Sequence, residues 1–272
     1  MAPLRVAWLT TGRGPGSFGA LEYVLGAIEG GLPVEIACVF VNRERGEAEA
    51  TDRLLDFVVG RGIAVETLSS VAFRKSRGGK ISKPGEPLQP WRLEYDAAVA
   101  DLLAGHGFTL GVMFGYMLIA TEPLYSRWTF LNDHPALPDG PIGTYQEVIK
   151  ALMRADERES GCMMNVVTGD VDRGAAVSFC RYSIFDRENE PLWRSFGSAR
   201  AYDDALDMEG TPLYADIRAR GVARERPFVV ETLRAIAEGR LAVPPAAPLD
   251  LTGEVETTVA AAAAARNRHG RA

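Results

Sequence analysis

Short apolar runs alternate with longer amphipathic runs through the first two thirds of the chain, the pattern of β-α-β units building a parallel sheet covered by helices. Parallel neighbours cannot be joined by a tight turn, so the long runs must cross the sheet as helices. Residues 4–10 read as a first buried strand, 18–29 as a helix, 34–41 as a second strand, 50–61 as a helix and 63–68 as a short third strand. The rhythm breaks over residues 74–90, where Gly78, Gly79, Pro84, Gly85, Pro87 and Pro90 predict an irregular excursion. It then resumes with a helix over 91–104, strands over 109–114 and 128–131, a helix over 144–153, and an antiparallel pair over 163–167 and 176–184. The last third is expected to be helical over 201–218 and 227–238. Beyond it the prolines at 244, 245 and 248 and an alanine run with no apolar stripe predict a disordered tail over 246–272. One α/β domain over residues 1–245, with a C-terminal helical portion, is the expected organisation.

Net charge −6 and a pI near 5.3 argue against wholesale nucleic-acid binding, so an anionic ligand would have to be held locally. Cys38, Cys162 and Cys180 sit in apolar runs without metal-site or redox spacing, which predicts buried thiols in a reduced, cytoplasmic protein and no metal. The first strand starts within four residues of Met1, with no signal-peptide pattern, and the least polar stretch, 110–120, is too short to span a bilayer. Neither secretion nor membrane insertion is expected.

Two motifs carry chemistry. After the first strand comes Thr11-Gly12-Arg13-Gly14-Pro15-Gly16-Ser17-Phe18-Gly19, a glycine-rich turn opening into a helix. Such a turn offers backbone N–H groups and a positive helix terminus to an anion, although glycine is also the default residue of any tight turn. The second strand ends on Val41-Asn42, without the acidic residue that grips an adenosine ribose, which argues against NAD. The other motif is Asn132-Asp133-His134-Pro135, followed later by Asp172 in a Gly-flanked turn. An amide can donate to a carbonyl oxygen turning negative, an imidazole can move a proton near neutrality, and a carboxylate can orient and charge the ring. Together they suit acyl transfer without a covalent enzyme intermediate. Arg74, Lys75, Arg77, Lys80 and Lys83 form a basic run, solvated or anion-binding, and His106 is read as a structural residue at a helix end.

On these residues the chain resembles the folate-dependent formyltransferases related to glycinamide ribonucleotide formyltransferase, over about residues 4–184 and more weakly to 243. Gly115-Tyr116-Met117 is similar to that family's Gly-Phe-Met turn, Arg92-Leu93-Glu94-Tyr95-Asp96 to its arginine-led helix start, and Asn132, His134 and Asp172 fall on its catalytic positions. The resemblance implies a Rossmann-like formyltransferase fold and an amine attacking the formyl carbon of 10-formyltetrahydrofolate. It also implies a pteridine site at Tyr116, Met117, Leu118, Ile119, Thr168, Gly169, Asp170 and Val171, and an acceptor site at Gly12, Arg13, Gly14, Gly16, Ser17 and Arg92.

The chain departs from the family at Pro15, Gly16 and Phe18 in the phosphate loop, at Leu118 in place of an arginine, and at Val222 and Ala223 in place of acidic and histidine residues. The expected substrate is therefore a small, anionic amine other than the purine precursor, and a homodimer is left open. The purine-pathway activity itself, hydrolysis of 10-formyltetrahydrofolate, a sugar-nucleotide or methionyl-tRNA formyltransferase and a non-catalytic folate- or nucleotide-binding module are the alternatives. Hydrolases of this kind carry an additional regulatory domain, for which no room is expected before Leu4.

Overall fold

A computed structural model describes residues 2–82, 86–202 and 207–269. Eight strands lie in the order β3-β2-β1-β4-β5-β6-β7-β8 in one sheet. They are β1 (Leu4–Thr10), β2 (Val34–Val41), β3 (Val65–Thr67), β4 (Leu110–Met113), β5 (Phe130–His134), β6 (Glu159–Val166), β7 (Ala176–Ser183) and β8 (Leu249–Asp250). The pairs β1–β2, β1–β4, β2–β3, β4–β5 and β7–β8 are parallel. Nine helices are seen among the described residues: α1 (Pro15–Glu29), α2 (Glu49–Val59), α3 (Ser70–Ser76), α4 (Trp91–Leu103), α5 (Glu122–Tyr125), α6 (Tyr145–Ala155), α7 (Glu190–Tyr202), α8 (Pro212–Ala237) and α9 (Thr252–His269).

The chain forms two compact units. The first comprises Met1–Asp133, Asn165–Ala175 and Leu233–Pro244. Its central strand β1 is buried from Val6 to Thr10 without alternation, as a strand covered on both faces must be. Leu9, Phe40, Met113 and Phe130 from the strands pack with Tyr95, Val99 and Leu103 of α4 into its core. The second unit comprises His134–Met164, Ala176–Thr232 and Pro245–Ala272. Within it, α6 starts at a full capping box: the Thr144 hydroxyl accepts from the Glu147 N–H and the Glu147 carboxylate accepts from the Thr144 N–H.

Several sequence expectations need correction. Helix α1 starts at Pro15, not residue 18, because proline's missing N–H and fixed φ suit a first helical position. The start of the 74–90 excursion is helical, since Ser69 caps α3 by accepting from the Ala72 N–H; Lys83, Pro84 and Gly85 lie outside the described residues. In the last third, α7 ends at Tyr202 and α8 runs unbroken through Pro227, where two helices over 201–218 and 227–238 were expected; residues 203–206 lie outside the described residues. The carbonyl that Pro227 deprives of a donor belongs to Ala223, which is exposed and can be solvated.

The tail is not disordered where it is described. Leu251 and Val255 are fully buried, β8 pairs with β7, the Arg181 N–H donates to Thr252 Oγ1, and Arg224 grips Glu256 through two guanidinium nitrogens. Alanines gain a fixed partner here from two apolar anchors and a forked ion pair at the helix start. Residues 270–272, including Arg271, lie outside the described residues.

Candidate active site

Asn132 stands near the end of β5, one strand beyond β4, with Met113 opposite it. The Val167 N–H donates to the Phe130 carbonyl at 2.8 Å, bringing the start of the 167–175 segment alongside β5. That segment then turns tightly. Asp172 adopts a left-handed φ of 53° and the Arg173 N–H donates to the Asp170 carbonyl. Gly174 admits no side chain, because a Cβ there would lie 1.7 Å from the Val166 carbonyl oxygen. The turn delivers the Asp172 carboxylate to Asn132, whose Nδ2 donates to Oδ1 at 3.1 Å. A primary amide has two N–H donors, so this bond orients the group and leaves the second N–H for a further acceptor.

His134 is the last residue of β5, in the second unit, and is 3% exposed. Its Nε2 lies 3.0 Å from the Pro141 carbonyl oxygen. A carbonyl can only accept, so Nε2 carries the proton and, in the neutral ring, Nδ1 carries the lone pair.

At the glycine-rich turn, Gly12 has a structural reason to be glycine: its φ is 63° and a Cβ would lie 2.7 Å from Leu54 Cδ2. Gly14 and Gly16 do not. A methyl group at either would meet nothing within 4 Å among the described residues. Gly14 is the N-cap of α1 and contributes no side-chain bond, and the first turn holds no acidic residue, so the helix terminus keeps its outward N–H groups. Arg13 is exposed, whereas the Ser17 hydroxyl turns back to donate to the Gly14 carbonyl at 3.1 Å. Phe18 packs on Phe57 of α2, with ring centroids 4.7 Å apart.

The expected pteridine segment divides by side. Tyr116 is buried and Leu118 packs against the core, while Met117 is 68% and Ile119 40% exposed. Burial pushes the Tyr116 phenol well above its ordinary pKa, with the Arg92 guanidinium pulling against that. The segment is tied to the first strand: the Thr11 N–H donates to the Gly115 carbonyl and the Met117 N–H to Thr11 Oγ1. In the loop before Asp172, the Thr168 hydroxyl bonds both the carbonyl and the N–H of Asp170, and Val171 is 45% exposed. A side chain at Gly169 would press on the Tyr125 hydroxyl.

Arg92 does not present its fork to an acceptor. It is 4% exposed, and its Nη2 donates to Asp96 Oδ1 at 3.1 Å and to the Ile119 carbonyl at 2.6 Å. Asp96, fully buried, also accepts from the N–H and the hydroxyl of Thr121. Burial pushes the Asp96 carboxyl up, opposed first by Arg92 and then by the Thr121 bonds. This arginine fastens the 119–121 backbone, and the anion-binding role expected for it is withdrawn.

Sequence reasoning missed a small pocket in the second unit, lined among others by Pro135, Tyr145, Ser160, Tyr182, Arg218 and Glu225. Glu225 is 7% exposed and pairs with Arg218, seven residues earlier on α8. The i, i+7 spacing of opposite charges was the available signal, but it is also common on solvated helix faces. The three cysteines are free and buried. His106 is held by Glu66 at 2.9 Å. Among the described residues no helix is long and apolar enough to cross a membrane, and no group of three or more His, Cys, Asp and Glu side chains could hold a metal.

Comparison with solved structures identifies the architecture. Glycinamide ribonucleotide transformylase 1 from Symbiobacterium toebii superposes with a TM-score of 0.63 at 23% identity, over 89% of this chain and 91% of that one. This is the formyltransferase fold. The phosphoribosylglycinamide formyltransferase of Coxiella burnetii gives a TM-score of 0.60 at 21% identity, over 88% of this chain and 89% of the other. A formyltetrahydrofolate deformylase from Burkholderia mallei gives 0.59 at 15% identity, over 88% of this chain and 66% of the other. Among curated proteins, an 88-residue stretch is 32% identical to the trifunctional purine biosynthetic protein adenosine-3 of Gallus gallus, covering 32% of this chain and 9% of that protein. No family model matches the chain.

Proposed function

We propose that this chain is an enzyme that transfers the formyl group of 10-formyltetrahydrofolate to the amine of a small metabolite. The observation that carries the reading is the Asn132–Asp172 bond at 3.1 Å, which aims an amide donor from a strand end two residues before a buried histidine with a defined tautomer. In the reaction the acceptor nitrogen bonds to the formyl carbon, and the carbonyl oxygen becomes an oxyanion that takes the second Asn132 N–H. The bond from carbon to N10 then breaks, and a proton passes from the acceptor nitrogen to N10. His134 serves that proton transfer and Asp172 holds the Asn132 amide in place. The exposed Met117, Ile119 and Val171 supply apolar contact for the pteridine and its benzoyl ring, with Tyr116, Leu118, Thr168, Gly169 and Asp170 offering backbone groups.

For the acceptor, the open space over Gly14 and Gly16 and the exposed Arg13 support an anionic group at the start of α1. A substrate other than a ribonucleotide is favoured by Val222 and Ala223, which offer no hydrogen bond to sugar hydroxyls. Three buried thiols suit a cytoplasmic setting.

Hydrolysis of the same donor is the second reading, favoured by the deformylase likeness in fold. One assay separates them: 10-formyltetrahydrofolate is incubated with the protein, with and without a panel of amine metabolites, and products are read by mass spectrometry. Gain of one formyl mass on one amine supports transfer. Formate released at equal rate without amine supports hydrolysis, and an unconsumed donor in both arms overturns the folate reading.

A further inference from the structure

Within the second unit, a series of contacts runs from the C-terminal helix α9 to the pocket that Pro135 lines. Leu251 and Val255 are fully buried and anchor the start of the helix, whereas no residue from Glu256 to Arg266 is buried. The next hold is Glu256, whose carboxylate oxygens accept from Nε and Nη2 of Arg224 on α8 at 2.5 and 3.0 Å. A forked, charge-assisted pair of this kind fixes the plane of the guanidinium. Nη1 of Arg224 donates to the Arg220 carbonyl at 3.0 Å, so all three nitrogens are engaged.

The held guanidinium lies against Tyr182 of β7, its carbon 4.7 Å from the ring centre. The ring is buried, and its hydroxyl approaches α8 where Gly221 has no side chain: a Cβ there would lie 3.1 Å from it. Burial pushes the Tyr182 phenol well above its ordinary pKa; the nearby Cys162, Glu225 and Cys180 add to that, and a bond with the Ser160 hydroxyl opposes it. Tyr182, Ser160, Gly221 and Glu225 line the same pocket as Pro135, the residue after His134. A carboxylate on one helix thus holds a cation of another against an aromatic wall of the space beside the histidine.

We propose that α9 is a releasable strap: through Glu256 and Arg224 it fixes the Tyr182 wall of the pocket beside His134, which makes Glu256 a positioning residue for the acceptor amine. The role toward the amine rests on the transfer reading above, and the strap itself does not. Few buried groups hold α9, so its opening is local, frees Arg224 and loosens the ring without unfolding the sheet.

The test is thiol labelling of the folded protein, located by peptide mass spectrometry, with steady-state kinetics on the same preparations. In the wild-type protein all three cysteines are buried and should react slowly. Glu256→Ala should speed labelling of Cys162 and Cys180, the thiols near Tyr182, by roughly tenfold, the worth of one charge-assisted bond in a local opening. Cys38, in the first unit, should keep its rate. Glu254→Ala, which removes an exposed carboxylate on the same turn, should change none of the three. With glycinamide as acceptor and 10-formyl-5,8-dideazafolate as donor, Glu256→Ala should raise KM for glycinamide severalfold and leave KM for the donor unchanged. Unchanged labelling overturns the strap, and so does equal acceleration of all three thiols, which is the pattern of global destabilisation. Faster labelling of Cys162 and Cys180 with an unchanged KM for glycinamide overturns the positioning role. Absence of transfer to glycinamide by the wild-type protein also overturns that role and, if no other amine is formylated, the transfer reading with it; the labelling pattern still decides the strap.

Discussion

The first unit contains two polar clusters that look alike in composition and differ in what they leave available. Around Asp96, one carboxylate, one guanidinium, a hydroxyl and a backbone carbonyl close on each other with exposures of 4% or less for both charged groups. Around Asn132 the carboxylate and amide share one hydrogen bond at half-buried positions, and the amide keeps a second N–H. The closed cluster positions a backbone segment. The open one can still meet a ligand, and this difference separates scaffold from candidate chemistry better than residue type does.

The largest expected effect falls on the open cluster. His134→Ala should lower formyl transfer by roughly 10²- to 10⁴-fold at saturating donor, as for a positioned acid or base, while the melting transition moves little. Asn132→Ala, which removes the proposed oxyanion donor, should cost about 10²- to 10³-fold in kcat. Near-wild-type turnover in either variant, measured by product formation, would dissolve the distinction between the clusters.

The closed cluster should respond in the opposite way. Asp96→Ala leaves Arg92 buried without its carboxylate and should destabilise the protein by about 3–5 kcal/mol in denaturant titration. Any loss of activity should then follow from loosening at 119–121 and appear mainly in KM for the donor. A variant of full stability that had lost turnover alone would return this pair to the reacting groups.

The smallest effect concerns a closed contact at the surface. Bonds from the Thr144 N–H and hydroxyl hold the Glu147 carboxyl below its ordinary pKa. A depressed folded pKa contributes stability above the unfolded value, which is lost as pH falls through the folded one. Acid titration of Glu147→Gln against wild type should therefore show a stability gap at neutral pH that closes below about pH 4, the ordinary carboxylate range. A gap that persists unchanged into acid would mean that the carboxylate charge does not carry the cap.

Much of the first unit was legible from residue order. β1 and β2 fall on residues 4–10 and 34–41 as expected, because strands buried on both faces appear as unbroken apolar runs bounded by turn residues. In the second unit, the capping box of α6 was implicit in Thr144 and Glu147. Asn132 and Asp172 could be grouped in advance by their chemistry and by the resemblance, but the bond between them could not be read, since nothing local links positions forty residues apart.

The last third was harder to read. A proline within a helix normally stops it, and Pro227 does not; the carbonyl it leaves without a donor belongs to Ala223, an exposed residue. An alanine run reads as featureless, yet α9 is held by Leu251, Val255 and the Arg224–Glu256 pair at its start. The role of Arg92 shows the same limit. Its sequence context suggests a ligand-binding fork, and only the fold reveals that the side chain is buried with its Nη2 held by Asp96 and the Ile119 carbonyl.

Local order along the chain accounts for the sheet, its crossovers and the residue types that chemistry requires. Burial and long-range partners account for which of those residues remain free to act. The physical reason is that hydrophobic periodicity repeats within a few residues and is written into neighbours, whereas the availability of a donor or a charge depends on groups brought beside it from distant segments.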